Sequence, residues 1–273
     1  MTDFLSEMAA NSRLRAKGVR DRRDESELIA RARSAAPAVA LELSPAGFDL
    51  IAESKLASPS EGRLTGGRED LTTVVDLALS YVAAGAAAIS VLTEPTRFDG
   101  HLSHLTSAAT AVELPVMRKD FLVDPIQVLE ARAAGASGVL LIARILERGL
   151  LVEMTDLALS HGMFVLVELF EERDIDVATS VFGRDVLIGV NSRDLETLRV
   201  DGDRHARLAS QLPSHLPLVA ESGLLTPEDA VRVSSLGYRL GLVGSSLVAS
   251  PDPASLLSDM VQAGRAVAVG GDS

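Results

Sequence analysis

The chain has 273 residues, a hydrophobic fraction of 47 % and a formal net charge of −12. That length suits one large domain or two small ones, with ample apolar material for a core. The acidic balance, with seven Phe, two Tyr and no Trp, argues against nucleic-acid binding, and the absence of Cys excludes disulfides and thiolate chemistry.

The five His are scattered without a metal-ligand spacing, so no metal site is expected. The N-terminus is polar and charged, unlike a signal peptide. No apolar run reaches membrane-spanning length. The expectation is a soluble, cytoplasmic protein with no membrane partner, and the sequence leaves monomer and weak homodimer open.

Residues 1–45 precede the first strand and read as a helical extension of one domain covering 1–273. Phe4 to Ala16 and Glu25 to Ala35 have helix-forming composition, with Asp24 and Ser26 as caps. The segment Lys17 to Glu27 is dense in charge of both signs. It reads either as a solvated helix face or as a flap that lends a basic side chain to a bound anion.

From Phe48 onward, short β-branched runs alternate with Ala- and Leu-rich segments of helical spacing. The pattern predicts strands at 48–54, 87–92, 115–119, 138–143, 163–168, 186–190, 217–221 and 240–243. Helices are predicted near 69–84, 101–111, 125–134, 147–161, 171–182, 202–211, 226–236 and 252–265. Alternating strands and helices imply parallel βαβ units, and eight units in this length fit a (β/α)8 TIM barrel with extra N-terminal helices. The rival is a doubly wound open sheet, but no GxGxxG follows a strand here.

In a barrel, the polar residues that end the strands converge on one mouth. The eight tips hold Glu53 and Lys55; Thr93 and Glu94; Arg118, Lys119 and Asp120; Arg144; Glu168; Asn191 and Arg193; Glu221, Ser222 and Gly223; and Gly244, Ser245 and Ser246. Glu53 and Lys55 lie two residues apart on a strand, so they share a face. Each tip alone reads as an ordinary polar turn or ion pair. Together, two lysines among several acids read as a tuned acid–base site.

The loops after the last two strands read ESGL and VGSSLV. Gly223 and Gly244 allow close backbone approach to an anion, and Ser222, Ser245 and Ser246 add hydroxyl donors. Ser245 to Val248 predicts a short helix whose free N–H groups face a phosphate, with Ser58 closing the ring from the first loop. The competing reading is two Gly-Ser turns.

The motifs IAES-K--SPS-G at 51–62, VLTEP--F-G at 91–100, PVMRKDFLVDP-Q at 115–127, LVEL at 166–169, IGVNSRDL at 188–195, VAESGL at 219–224 and LVGSSLV at 242–248 carry a family resemblance. The chain resembles the indole-3-glycerol phosphate synthase family, over essentially its whole length. The resemblance implies decarboxylating ring closure and dehydration of 1-(2-carboxyphenylamino)-1-deoxyribulose 5-phosphate in tryptophan biosynthesis, without cofactor or metal. It implies Lys119 as general acid, Glu168 in dehydration, Lys55 on the anthranilate carboxylate, Glu53 pairing the lysines, and Asn191 on substrate hydroxyls or Glu168. Arg193 and Glu221 would support the substrate, and Ser58, Ser222, Gly223, Gly244 and Ser245 would hold its phosphate. Phe121, Leu141 and Leu195 are candidates for an apolar slot.

The sequence departs from the family pattern at Leu56 and Glu61, where positive charge is usual, at Gly100 and His101, and at Thr65 to Arg68. These departures leave open a paralogue acting on a modified arylamino sugar phosphate, and a catalytically retired sugar-phosphate-binding barrel. The presumed catalytic residues are all present, which weighs against retirement. A phosphoribosylanthranilate isomerase fits less well, because the chain has no Cys.

Overall fold

A computed structural model of the chain describes residues 4–22, 25–55, 57–58, 62–63, 70–194, 197 and 199–270, with the backbone alone at 57–58, 62–63, 70 and 268–270. Leu56, Glu61, Thr65 to Arg68 and Leu195 lie outside the described residues, and so does the side chain of Ser58.

Two helices come first, α1 (Phe4–Arg22) and α2 (Glu25–Ser34). Next come β1 (Asp49–Ser54), a small antiparallel pair β2 (Ala57–Ser58) and β3 (Gly62–Arg63), and α3 (Asp70–Ala83). The chain continues through β4 (Ala88–Leu92), α4 (Pro95–Phe98), α5 (Leu102–Ala111), β5 (Val116–Lys119), α6 (Pro125–Ala133) and β6 (Gly138–Ile142). It ends with α7 (Arg148–Ser160), β7 (Phe164–Leu169), α8 (Glu172–Ala178), β8 (Leu187–Asn191), α9 (Arg204–Ala209), β9 (Leu218–Glu221), α10 (Pro227–Ser235), β10 (Leu240–Val243), α11 (Ser245–Ala249) and α12 (Pro253–Gly270).

The strands other than β2 and β3 close into a parallel barrel, in the order β1-β10-β9-β8-β7-β6-β5-β4. The architecture is the expected (β/α)8 barrel with N-terminal helices, and each barrel strand falls within one residue of its predicted span. The periodicity was informative because buried parallel strands read as short aliphatic runs between helical segments. Two small elements had no strong signal. One is α4, which Glu94 caps by accepting from Thr96 N at 3.0 Å and Arg97 N at 2.7 Å, with Pro95 opening the helix. The other is the β2–β3 pair.

Alternation sorts the strand side chains into an inner and an outer core. Ile51, Ala88, Met117, Leu140, Leu166, Leu187, Val219 and Leu240, one from each barrel strand, pack inside the barrel. The residues between them, such as Ala52, Ile89, Val116, Val139, Leu141, Val165 and Val190, join the core under the outer helices. The next inward position on each strand is Glu53, Ser90, Lys119, Ile142, Glu168, Gly189, Glu221 or Leu242. A charged layer therefore sits directly on an aliphatic floor.

The N-terminal helices close one side of this arrangement. Ala16 and Val19 of α1 pack with Leu28 and Ala32 of α2 against Ile126 and Leu129 of α6. Leu5 and Met8 of α1 join the inner core at the mouth. The helix is also pinned by ion pairs from Glu7 to Arg97 at 3.0 Å, Arg15 to Asp120 at 2.7 Å and Arg20 to Asp124 at 2.6 Å.

Candidate active site

Lys119 ends β5 with its ammonium between two carboxylates. Its Nζ lies 3.4 Å from Glu53 Oε2 on β1 and 3.2 Å from Glu221 Oε2 on β9. Lys55, two residues beyond Glu53 on the same face, lies 3.6 Å from Glu53 Oε1 and donates to Ser245 Oγ at 2.6 Å. The shared face of Glu53 and Lys55 is thus observed, and it brings both lysines to one carboxylate. Asn191 Nδ2 donates to Glu168 Oε1 at 2.6 Å, and Asn191 Oδ1 accepts from Arg193 N at 2.9 Å.

Two glycines make room for these groups. A Cβ on Gly189 would overlap Glu221 Oε1, and one on Gly244 would stand 2.5 Å from Glu53 Oε1. Neither position admits a larger residue without moving a carboxylate of the layer.

The environment shifts the ionisation of the charged set. Burial pushes the Lys119 ammonium down, but Glu53, Glu221 and Glu168 together outweigh it and hold the group above its ordinary value. Burial raises the Glu53 carboxyl, yet Lys119 and Lys55 prevail and hold it below its ordinary value. Glu221 goes the other way. Burial and the neighbouring Glu168 push its carboxyl up to about 8, despite Lys119. Two carboxyls forced close together in a dry site disfavour a second negative charge. The layer therefore sets the Lys119 ammonium between a carboxyl held below its ordinary range and one pushed above it.

Above it opens a cavity of about 140 Å³. Its polar lining is Glu53, Lys55, Lys119, Glu168, Asn191 and Arg193, with the rim Ser222, Gly223, Gly244, Ser245 and Ser246. Ser246 Oγ is buried and has no hydrogen-bond partner among the described residues. The apolar lining comes from Phe4, Leu92, Phe98, Phe121, Leu140, Ile142 and Phe170, and from Leu224, Leu225, Leu242 and Val243. Phe121 meets Phe4 edge-on at 6.0 Å and Phe98 at 6.3 Å. A cavity with a phenylalanine cluster and a glycine–serine rim suits a molecule that is aromatic in one part and anionic in another.

Most of the residues singled out from the sequence converge here, but some do not. Glu221 lies under the cavity, against Lys119, and does not line it. Leu141 faces the outer helices, whereas its neighbours Leu140 and Ile142 line the slot. Arg118 also points outward, donating to Thr93 Oγ1, Asp120 Oδ2 and the Gln127 carbonyl. Arg144 binds Asp174 at 2.8 Å and lies 5.2 Å over the ring of Phe170, behind the slot. His101 is exposed and caps α5, its ring accepting from Ser103 N.

The charged segment after α1's midpoint resolves toward surface pairing. Lys17 pairs with Asp21, and Arg20 pairs with Glu25 and Asp124. The α1 cation that reaches the mouth is Arg15, which sequence reasoning missed. Both of its terminal nitrogens donate to Asp120, whose carboxyl burial would raise but which Arg15 and Arg118 hold down at about 2. Phe4, Phe98 and Phe170 were also missed. Phe4 and Phe98 belong to elements whose placement over the mouth has no local signal.

Fold and site define a (β/α)8-barrel enzyme, with an acid–base layer at the C-terminal end of the strands beside a rim suited to an anion. The model of one family, indole-3-glycerol phosphate synthase, matches residues 6–260. The chain belongs to the indole-3-glycerol phosphate synthase family. It is 44 % identical over 240 residues to the indole-3-glycerol phosphate synthase of Mycobacterium sp. (strain KMS), covering 87 % of this chain and 86 % of the relative. It is 42 % identical over 239 residues to indole-3-glycerol phosphate synthase 1 of Streptomyces coelicolor, covering 88 % and 86 %. Among solved structures, a 3-hexulose-6-phosphate synthase from Salmonella typhimurium superposes with a TM-score of 0.64 at 13 % identity, covering 80 % of this chain and 99 % of that one. The tryptophan synthase α subunit of Legionella pneumophila gives 0.56 at 19 %, covering 79 % and 92 %. At these identities the structural likeness concerns the barrel alone.

Proposed function

We propose that this barrel mouth closes the indole ring with Lys119 as general acid. The chain is an enzyme of the indole-3-glycerol phosphate synthase family, a carboxy-lyase of tryptophan biosynthesis acting on a phosphorylated sugar. The observation that carries the assignment of roles is the position of Lys119 Nζ, 3.4 Å from Glu53 and 3.2 Å from Glu221, in the lining of the cavity that also holds Phe4, Phe98 and Phe121.

In this reading the anthranilate ring of the substrate lies in the slot beside Phe121, and its phosphate rests on Ser222, Gly223, Gly244 and Ser245, with Ser58 contributing from the first loop. Lys119 protonates the C2 ketone oxygen as the ring carbon bonds to C2. Carbon dioxide then leaves from that ring carbon. The C2 hydroxyl then takes up a proton and departs as water while C1 loses a proton to form the C1=C2 double bond, and Glu168, oriented by Asn191, serves this second half. Glu53 keeps Lys119 charged before each turnover. Lys55 and Arg193 neutralise substrate anions, and Glu221 returns a proton to the layer. A general acid and a general base on separate strands of a dry pocket supply the two proton transfers that the sequence of bonds requires.

Lys55 donates to Ser245 at 2.6 Å, which supports a binding role for that lysine beside the proposed phosphate rim. We assign it to substrate binding ahead of acid duty. The cytoplasm is the matching compartment, and no helix among the described residues is long and apolar enough to cross a membrane. One domain, with residues 1–45 as its helical extension, acting as a monomer or weak homodimer, is the corresponding assembly.

The test is a fluorescence assay for indole-3-glycerol phosphate, with purified protein and 1-(2-carboxyphenylamino)-1-deoxyribulose 5-phosphate. Product formation is expected. Tight binding without product would turn the reading toward a modified substrate or a retired barrel.

A further inference from the structure

The ends of β8 and β9 carry Asn191 and the Glu221–Ser222–Gly223 turn, and they are clasped from outside by the first turn of α9. His205 is 1 % exposed. Its Nε2 lies 3.2 Å from the Val190 carbonyl and 3.3 Å from the Glu221 carbonyl. Arg204, beside it, donates to the Asn191 carbonyl at 3.0 Å. Ser192 completes the set, its N–H donating to Glu221 O at 2.9 Å and its Oγ lying 3.1 Å from Ser222 O.

This clasp is needed because the turn is strained. Ser222 has φ of 63°, the left-handed region that a residue with a Cβ rarely adopts. Such a conformation persists only where its surroundings hold it. The imidazole itself is also held: Tyr238 packs edge-on at 5.4 Å and donates its hydroxyl to the His205 carbonyl at 2.9 Å.

We propose that His205 is a positioning residue for the reaction, its Nε2–H bridging two strand ends so that Asn191 and the Ser222–Gly223 turn stay aligned for substrate. It touches no reacting atom and acts through the backbone of the residues that do. Two carbonyl oxygens at Nε2 require the proton on that nitrogen, and Nδ1 is buried with no partner among the described residues, so a second proton finds no acceptor among them. Burial, with Arg232 nearby and Arg204 adding to it, depresses the group to about 4 and outweighs the two carbonyls, which keeps the ring in this single-proton form at neutral pH.

The proposal rests on the reading of Ser222, Gly223 and Ser245 as the phosphate rim, so the experiment separates the two. Binding of inorganic phosphate, measured by competition with substrate, is compared across wild type, Ser245→Asp, His205→Leu and His205→Gln. Ser245→Asp should weaken phosphate at least tenfold. His205→Leu should raise both KM and the phosphate inhibition constant about five- to tenfold while its far-UV circular dichroism is unchanged, and His205→Gln, which restores an N–H donor, should recover most of that loss. If Ser245→Asp leaves phosphate binding intact, the rim reading and this proposal fall together. If Ser245→Asp abolishes binding but His205→Leu keeps wild-type KM and inhibition, His205 is packing only. Should the Leu variant not fold, His205→Asn, whose donor is too short to span both carbonyls, takes its place with the same expected outcome.

Discussion

Glu221 Oε2 stands 3.2 Å from Lys119 Nζ, outside the cavity lining and two strands round the barrel from Glu53. The same ammonium faces one carboxyl held below its ordinary range, Glu53, and one pushed above it, Glu221. Its carboxyl is raised from an ordinary value near 4.5 to about 8 by burial and Glu168, against Lys119. Between those two values the folded chain keeps a proton that the unfolded chain releases, so this group makes stability fall as pH rises from about 4.5 to 8. Glu221→Gln has no proton to lose. Its melting temperature should therefore gain on that of wild type as pH is raised from 5 to 9, measured by differential scanning fluorimetry. Parallel curves would show that the carboxyl is ionised throughout.

Gly189 leaves the space that Glu221 fills, since a Cβ there would overlap Oε1. Gly189→Ala should displace the carboxylate from Lys119 and lower kcat by tenfold or more, because a positioned acid–base group contributes on the order of 10²–10⁴. Steady-state kinetics on the soluble variant would check this. An unchanged kcat would remove Glu221 from the catalytic layer.

Arg15 joins α1 to the residue after Lys119 through two hydrogen bonds to Asp120. Arg118 and Thr93 remain on Asp120 when Arg15 is lost, so the carboxylate is not orphaned. Arg15→Met should cost about 2 kcal/mol, the scale of a charged hydrogen bond, and lower the melting temperature by roughly 4–8 °C. KM should rise as well, because α1 carries Phe4 into the cavity wall. A stability loss with unchanged KM would show that α1 is a brace and not part of the site.

The barrel was legible because each strand is a short aliphatic run ending in a polar tip, and because nothing disturbs that rhythm from Phe48 onward. The tips were less legible than the strands. Lys119 and Arg118 are neighbours of like charge, yet alternation sends one into the cavity and the other toward α6. The same rule separates Leu141 from Leu140 and Ile142. Applying the two-residue period to every tip, as it was applied to Glu53 and Lys55, would have sorted these residues without a structure. Arg15, Phe4 and His205 were beyond reach. Each acts across more than ten residues of sequence on a partner that only the closed barrel brings near. No local pattern encodes such meetings.

The decisive measurement is a comparison of Lys119→Ala with Lys55→Ala in steady-state turnover of 1-(2-carboxyphenylamino)-1-deoxyribulose 5-phosphate, each checked for folding by circular dichroism. With Lys119 as the acid and Lys55 as a binding residue, Lys119→Ala should lose kcat by on the order of 10³ or more, while its KM changes little. Lys55→Ala should instead raise KM and retain most of kcat. The reverse pattern, with Lys119→Ala turning over near the wild-type rate and Lys55→Ala inactive, would contradict the assignment of the first proton to Lys119.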